Sequence, residues 1–239
     1  MTSTATYPTI SNWLDNHRDE LIQKSCYIFE HPETAYKEKL SSKCLADYLE
    51  TQGFQIEWNT AGIETAFTAA WTNPDIDITK IQPAGKNVSS SNEVPIIGFL
   101  AEYGALPEIG HGCGHNLHGS LSVLSGLALM DLKDKFKGTL YVIGTPAEEE
   151  NGAKIGMAEQ GIFDDMSMAV MMHSSSGGYS LPDMDVLSLR CYEVEFFGET
   201  AHAVAAPWNG KSALSAARKF LDLIDARREC FTPDIHVNS

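Results

Sequence analysis

The sequence predicts an α/β fold, an open sheet flanked by helices with a site at the carboxyl ends of its strands. Short apolar runs starting at Ile96, over Gly138–Thr145 and over Met168–Met172 have the length and content of buried strands. Each run ends in residues that carry chemistry: His111, Cys113, His115 and His118 after the first, Glu148, Glu149 and Glu150 after the second, and His173 after the third. Helical spacing resumes behind the first two loops. Strand, polar loop, helix is the order in which open α/β sheets build their sites.

The elements follow in chain order. Ile10–Glu30 carries Ile10, Trp13, Leu14, Leu21, Ile22 and Ile28 at helical steps, with Ser11 available as a cap and His31-Pro32-Glu33 as the stop. Ser41–Gly53 predicts a second helix with Cys44, Leu45, Tyr48 and Leu49 inward and Gly53 at its end. Phe54–Trp58 and Thr65–Trp71 read as strands. The polar stretch Thr72–Glu93, with Pro74, Pro83, Gly85 and three consecutive serines, reads as a surface excursion between neighbouring strands.

Leu117, Leu121, Leu124, Ala128 and Leu132 predict a helix behind the first site loop, and a shorter one is expected at about Ala153–Gln160. Beyond Gly178 the pattern changes. Val186–Phe197 alternates in part and reads as a long strand, Gly198–Gly210 as a turn-rich linker holding His202, and Ser212–Cys230 as a helix with Leu214, Ala217, Phe220, Leu221 and Ile224 on one face. Phe231–Ser239 reads as the start of a further strand.

Composition bounds the function. The 239 residues suffice for one large domain or one domain and part of another. A formal net charge of −15 opposes nucleic acid and anionic membranes as partners. No run approaches the length of a membrane helix, and Met1–Thr9 lacks the basic start and apolar core of a secretory signal. Five scattered cysteines have no framework spacing, which predicts a reducing, cytoplasmic setting. Four of them read as small buried apolar residues, and Cys113 as the exception.

Cys113-Gly-His115 sets a thiolate and an imidazole two residues apart, a spacing that lets both reach one borderline-soft ion such as zinc. The same residues also fit a glycine-rich loop in which Cys113 packs and His115 bonds a carbonyl. His111 and His118 suit partners that orient a ligating imidazole, or plain polar residues at a helix start. Glu148 and Glu149 repel each other unless a cation sits between them; one then ligates while the other takes a proton from water. A solvated acidic turn is the alternative. A serine or cysteine nucleophile is disfavoured, because no Gly-x-Ser-x-Gly elbow is present. A structural zinc knot is disfavoured by the lack of paired cysteines.

In combination these motifs are specific. Tyr103-Gly-Ala-Leu-Pro, Gly110-His-Gly-Cys-Gly-His-Asn, Thr145-Pro-Ala-Glu-Glu, Met172-His173 and Gly198-x-x-Ala-His202, with His31-Pro-Glu upstream, resemble the aminoacylase/dipeptidase family of two-metal amidohydrolases. The nearest subgroup holds the auxin-conjugate and aminobenzoyl-glutamate hydrolases. The resemblance implies a three-layer, zinc-exopeptidase-like catalytic domain over residues 1–185 and the start of an α+β lid or dimerisation domain over 186–239. It implies two divalent ions, zinc or else manganese, held by Cys113, His115, Glu149 and His173, with Glu148 as general base. It implies a catalytic and substrate-binding role for His202, holding the substrate or polarising its carbonyl, and His118 is expected among the substrate-binding residues. The implied reaction is hydrolysis of an amide in a dipeptide or N-acyl amino acid, and the implied partner a second copy through the lid.

Two departures from the family pattern stand out. Gly104 occupies a position where the family carries an orienting Asp, with Glu102 nearby. The rest of the lid, beyond its first helix and part of a strand, and a late histidine ligand have no counterpart before Ser239, so the chain reads as an N-terminal portion. The alternative function is a non-catalytic remnant that binds a metal or a partner.

Overall fold

The computed structural model describes residues 8–76, 94–150, 152–178, 181, 188, 190 and 192–237. These fall into two compact units, Met1–Gly178 and Tyr179–Ser239. The boundary expected at residue 185 lies outside the described residues.

The first unit contains α1 (Pro8–Glu30), α2 (Lys39–Thr51), β1 (Gln55–Trp58), β2 (Phe67–Thr72), β3 (Ile96–Ala101), α3 (His115–Asp131), β4 (Thr139–Gly144), α4 (Ala153–Glu159) and β5 (Met168–Met171). The strands form one sheet in the order β1-β2-β4-β3-β5. Its β1/β2 and β2/β4 pairs are antiparallel, and β3 runs parallel to both β4 and β5. The stretch after β2 therefore does not join neighbours as expected: β4 lies between β2 and β3, and residues 77–93 are outside the described set.

Register fixes the site. Ala101 at the end of β3 stands opposite Gly144 at the end of β4, and Leu100 opposite Met171 at the end of β5. The three chemistry-bearing loops thus leave one edge of the sheet side by side, although far apart in sequence.

Alternation along the strands supplies two faces. Phe99, Ala101, Leu140 and Val142 pack with Ile28, Leu45, Leu49, Val123 and Leu127 from α1, α2 and α3. The intervening Leu100, Tyr141 and Ile143 pack with Ala153 and Met157 of α4 and with Met166. Helices on both faces of the sheet make the three-layer α/β arrangement that the sequence predicts.

Helix α3 sits unusually close to the end of β3. A Cβ at Gly119 would lie 2.5 Å from the Glu102 carbonyl oxygen and 3.0 Å from Leu45 Cδ1. Ser122 donates to the Leu100 carbonyl at 2.6 Å, tying the same helix turn to the strand. Gly119→Ala would gain up to about 1 kcal/mol of helix propensity. Overpacking against backbone costs about 1–3 kcal/mol, so a net loss is expected, read as a lower urea midpoint.

The second unit holds α5 (Ala213–Arg227), whose first turn is capped by the Ser212 hydroxyl accepting from the Ser215 amide at 3.0 Å. The long strand expected at 186–197 does not form in its described part: residues 192–197 have no strand pairing, and residues 186, 187, 189 and 191 are outside the described set. Partial alternation does not make a strand without a neighbour to pair with. The described residues of the second unit hold only an isolated bridge between Glu199 and Lys211. Residues 235–237 are likewise not a strand.

The cysteine expectation is partly corrected. Cys26 and Cys230 are exposed, Cys44 is half-buried, and these three and Cys113 are free thiols. Cys26 points outward from an amphipathic helix, where the spacing of cysteines carries no information. No described helix is long and apolar enough to cross a membrane.

Candidate metal centre

The site is built where the three loops meet. His115 is the first residue of α3, entered through Gly114 in the left-handed region (φ 88°), a turn that favours glycine. Its ring is fully buried, and Nδ1 lies 2.9 Å from the Gly104 carbonyl. That carbonyl can only accept, so Nδ1 carries the proton and Nε2 presents a lone pair to the loop junction.

Three carboxylates surround that nitrogen. Glu102 Oε2 and Glu148 Oε2 each lie 3.5 Å from His115 Nε2, and Glu149 Oε1 lies 3.6 Å away. Cys113 Sγ is 3.5 Å from His173 Nε2, while His173 Nδ1 is turned to the Ser174 carbonyl at 2.8 Å. Potential donor atoms form two groups, each within 4.8 Å: Cys113, His115 and Glu149, and Glu102, His115, His118 and His173. Of the sequence-predicted set, Cys113, His115 and Glu149 share one group, while His173 falls in the other, linked to the first through His115 and through its own contact with Cys113. Glu148 stands on the same rim and is more exposed, at 38%, than Glu149, at 21%.

His118 takes a different position. Its ring is fully buried, and the Ser174 amide donates to Nε2 at 2.8 Å. A backbone amide can only donate, so the neutral ring keeps its proton on Nδ1, which faces Glu102 Oε2 at 3.6 Å. Lys154 Nζ holds the other Glu102 oxygen at 2.5 Å. Burial opposes ionisation of Glu102, but His118 and the Lys154 ammonium outweigh it and bring its pKa down to about 2.

Glu102, Lys154 and Ser174 are the contributors that sequence spacing does not reveal as a set. Lys154 meets Glu102 across 52 positions, and its place behind the acidic turn is the only local sign. His111 is buried, stacked 6.3 Å from Phe29, and belongs to neither donor group. His202 lies in the second unit, where its Nδ1 accepts the amides of Val204 and Ala205.

The donor set fits a divalent cation. His115 Nε2 and Glu149 Oε1 are buried, lie 3.6 Å apart and lack a hydrogen-bond partner among the described residues. Unsatisfied buried carboxylate and imidazole atoms facing one another are costly unless a positive charge joins them. One thiol, two imidazoles and carboxylates suit zinc.

The family pattern for "Peptidase family M20/M25/M40" matches residues 101–231, more than half of the chain and all three site loops. The chain belongs to this family. Among M20 relatives, the mouse Xaa-Arg dipeptidase is 32% identical over 212 residues, covering 85% of this chain and 46% of that protein. A p-aminobenzoyl-glutamate hydrolase polypeptide of Escherichia coli is 29% identical over 229 residues, covering 88% and 44%. The chain thus spans a little under half the length of both. The Bacillus subtilis YXEP protein, described as a dinuclear metal binding M20 peptidase, superposes with a TM-score of 0.53 at 23% identity, over 67% of this chain and 44% of that one. At that identity the likeness is one of fold.

The thiol makes a pH prediction. Burial first, then a hydrogen bond and the charge of Glu149 and the charges of Glu148 and Glu102, push the Cys113 pKa up to about 11. The free thiol is therefore protonated near neutrality, and a cation must displace that proton. Zinc affinity is expected to rise with pH, and Cys113→Ala should remove about one tenfold step per pH unit from that slope. Titrations at pH 6, 7 and 8 on both proteins measure it; parallel slopes would mean that Cys113 is not a ligand.

Proposed function

We propose that this chain binds divalent metal at the joined ends of β3, β4 and β5 and serves hydrolysis of amide bonds in dipeptides or N-acyl amino acids. The observation that carries this reading is the meeting of Glu148 and Glu149 with His115, at 3.5 and 3.6 Å, beside the Cys113–His173 pair. Similarity to an Xaa-Arg dipeptidase and to a p-aminobenzoyl-glutamate hydrolase supports the substrate class.

Cys113, His115, Glu149 and His173 would hold the metal, zinc by its thiolate and imidazole donors and manganese as the next candidate. An imidazole nitrogen serves one ion, so His115 would hold one and His173 a second, with Cys113 near both. Bound there, the metal supplies Lewis acidity for an amide carbonyl. Glu148, the more exposed carboxylate, accepts a proton from the attacking water and returns it to the leaving amine. Glu102, held by Lys154 and His118, adds fixed negative charge. His118 is reserved for that task by its burial and its Ser174 bond, so we assign substrate contact to His202 instead.

The non-catalytic remnant is not favoured, since the carboxylate for proton transfer stands beside the donor set. The exposed apolar residues Leu214 and Leu223 of α5, 72% and 66% accessible, support residues 186–239 as a lid and contact for a second copy. The scattered cysteines, which lack the spacing of a disulfide framework, support a cytoplasmic setting.

The test is hydrolysis of Xaa-Arg dipeptides and N-acyl amino acids by zinc- or manganese-loaded protein. Turnover that a chelator removes and metal restores is expected. No release from any of these substrates by metal-saturated protein would contradict the reading.

A further inference from the structure

Glu38 is a buried carboxylate that belongs to neither donor group. It closes the loop between α1 and α2 and is fully inaccessible. Its Oε1 accepts the Ala147 amide at 2.8 Å, and its Oε2 accepts the Thr65 hydroxyl at 3.2 Å. Burial raises its pKa, while hydrogen bonds from its own backbone, Ala147 and Thr65 lower it. A carboxylate kept inside against that desolvation needs a reason.

Its surroundings supply one. Ala147 directly precedes Glu148 and Glu149, is 1% exposed, and has a φ of 58°. A non-glycine residue in the left-handed region costs about 1–3 kcal/mol and persists only where its surroundings enforce it. Glu38 is the side chain that bonds its amide. The same Oε1 fills the space beside Gly104: a Cβ there would stand only 3.1 Å from it. Gly104 is also the residue whose carbonyl orients His115. One carboxylate therefore bonds the backbone that aims the glutamate pair and lies against the backbone whose carbonyl orients the central imidazole.

We propose that Glu38 is a positioning residue of the metal centre, setting the direction in which Glu148 and Glu149 leave β4 and filling the place of a side chain at Gly104. The consequence for metal rests on the reading of Glu149 and His115 as ligands. The bracing of Ala147 does not.

The test separates the two. Wild type, Glu38→Ala and Glu38→Gln are compared by amide hydrogen exchange at Ala147 and Glu148 in metal-free protein and by zinc affinity against a chromophoric chelator. Gln keeps an acceptor for the Ala147 amide, and Ala does not. Glu38→Ala should expose both amides to faster exchange and lower zinc affinity by about 10–100-fold, as loss of an orienting partner does, with Gln restoring both. Urea unfolding checks that each variant is folded. If Glu38→Ala does not fold, Gly104→Ala, which crowds the carboxylate without removing it, should give the same changes in weaker form. Unchanged exchange at Ala147 in folded Glu38→Ala, or in Gly104→Ala where that variant stands in for it, would overturn the proposal, as would failure of Gln to rescue. Wild-type protein that binds no zinc would instead sink the metal reading, and the exchange results would then decide the role of Glu38 alone.

Discussion

Replacing His115 by alanine is expected to lower divalent-metal affinity by at least about 100-fold, more than any other single change in the site. His115 is common to both donor groups, and its Nε2 lies within 3.6 Å of three carboxylate oxygens. Its Nδ1 is already committed to Gly104, so no other atom of the ring can substitute. The variant also leaves Glu102, Glu148 and Glu149 facing one another, and it should be less stable as well as unable to hold zinc. Competition against a chelator measures the affinity, with urea unfolding of metal-free protein beside it. Affinity within about threefold of wild type would remove His115 from the ligand set, since even orienting partners are worth about tenfold or more.

The glutamate pair should divide by role. Glu148→Gln is expected to keep metal binding and lose about 10²–10⁴-fold in hydrolysis, because an amide cannot accept the proton that a general base must take. Glu149→Gln should instead weaken metal binding, because a ligand must bring negative charge to the ion. It should also steady the metal-free protein, by relieving repulsion between Glu149 and its neighbours at the loop junction. Equal metal affinities for wild type and both variants would mean that neither glutamate is a ligand.

Much of this architecture is legible in the sequence for a simple reason: the central strands are apolar runs bounded by sharp polar breaks. β3, β4, β5 and α3 fall within a few residues of where their pattern puts them, and their shared edge follows once the strands lie parallel. What sequence spacing misses is set by tertiary approach. Glu102 gains its meaning from Lys154 and His118, and Glu38 from an amide 109 positions away. The side of His118 that carries its proton is decided by the Ser174 amide, 56 positions distant, and no local signal encodes that. The strand expected at 186–197 does not form over its described part, residues 192–197, where alternation is partial. Tyr192 and Phe197, 79% and 86% exposed, have no packed face to alternate against in the described residues.

X-ray absorption at the zinc edge, on zinc-loaded protein and its Cys113→Ser variant, tests the central claim most directly. One sulfur at about 2.3 Å with nitrogen and oxygen neighbours at about 2.0–2.2 Å is expected for the wild type, and loss of the sulfur shell in the variant. A zinc shell of nitrogen and oxygen alone, identical in both proteins, would show that the metal is not held by the proposed set of Cys113, His115, Glu149 and His173.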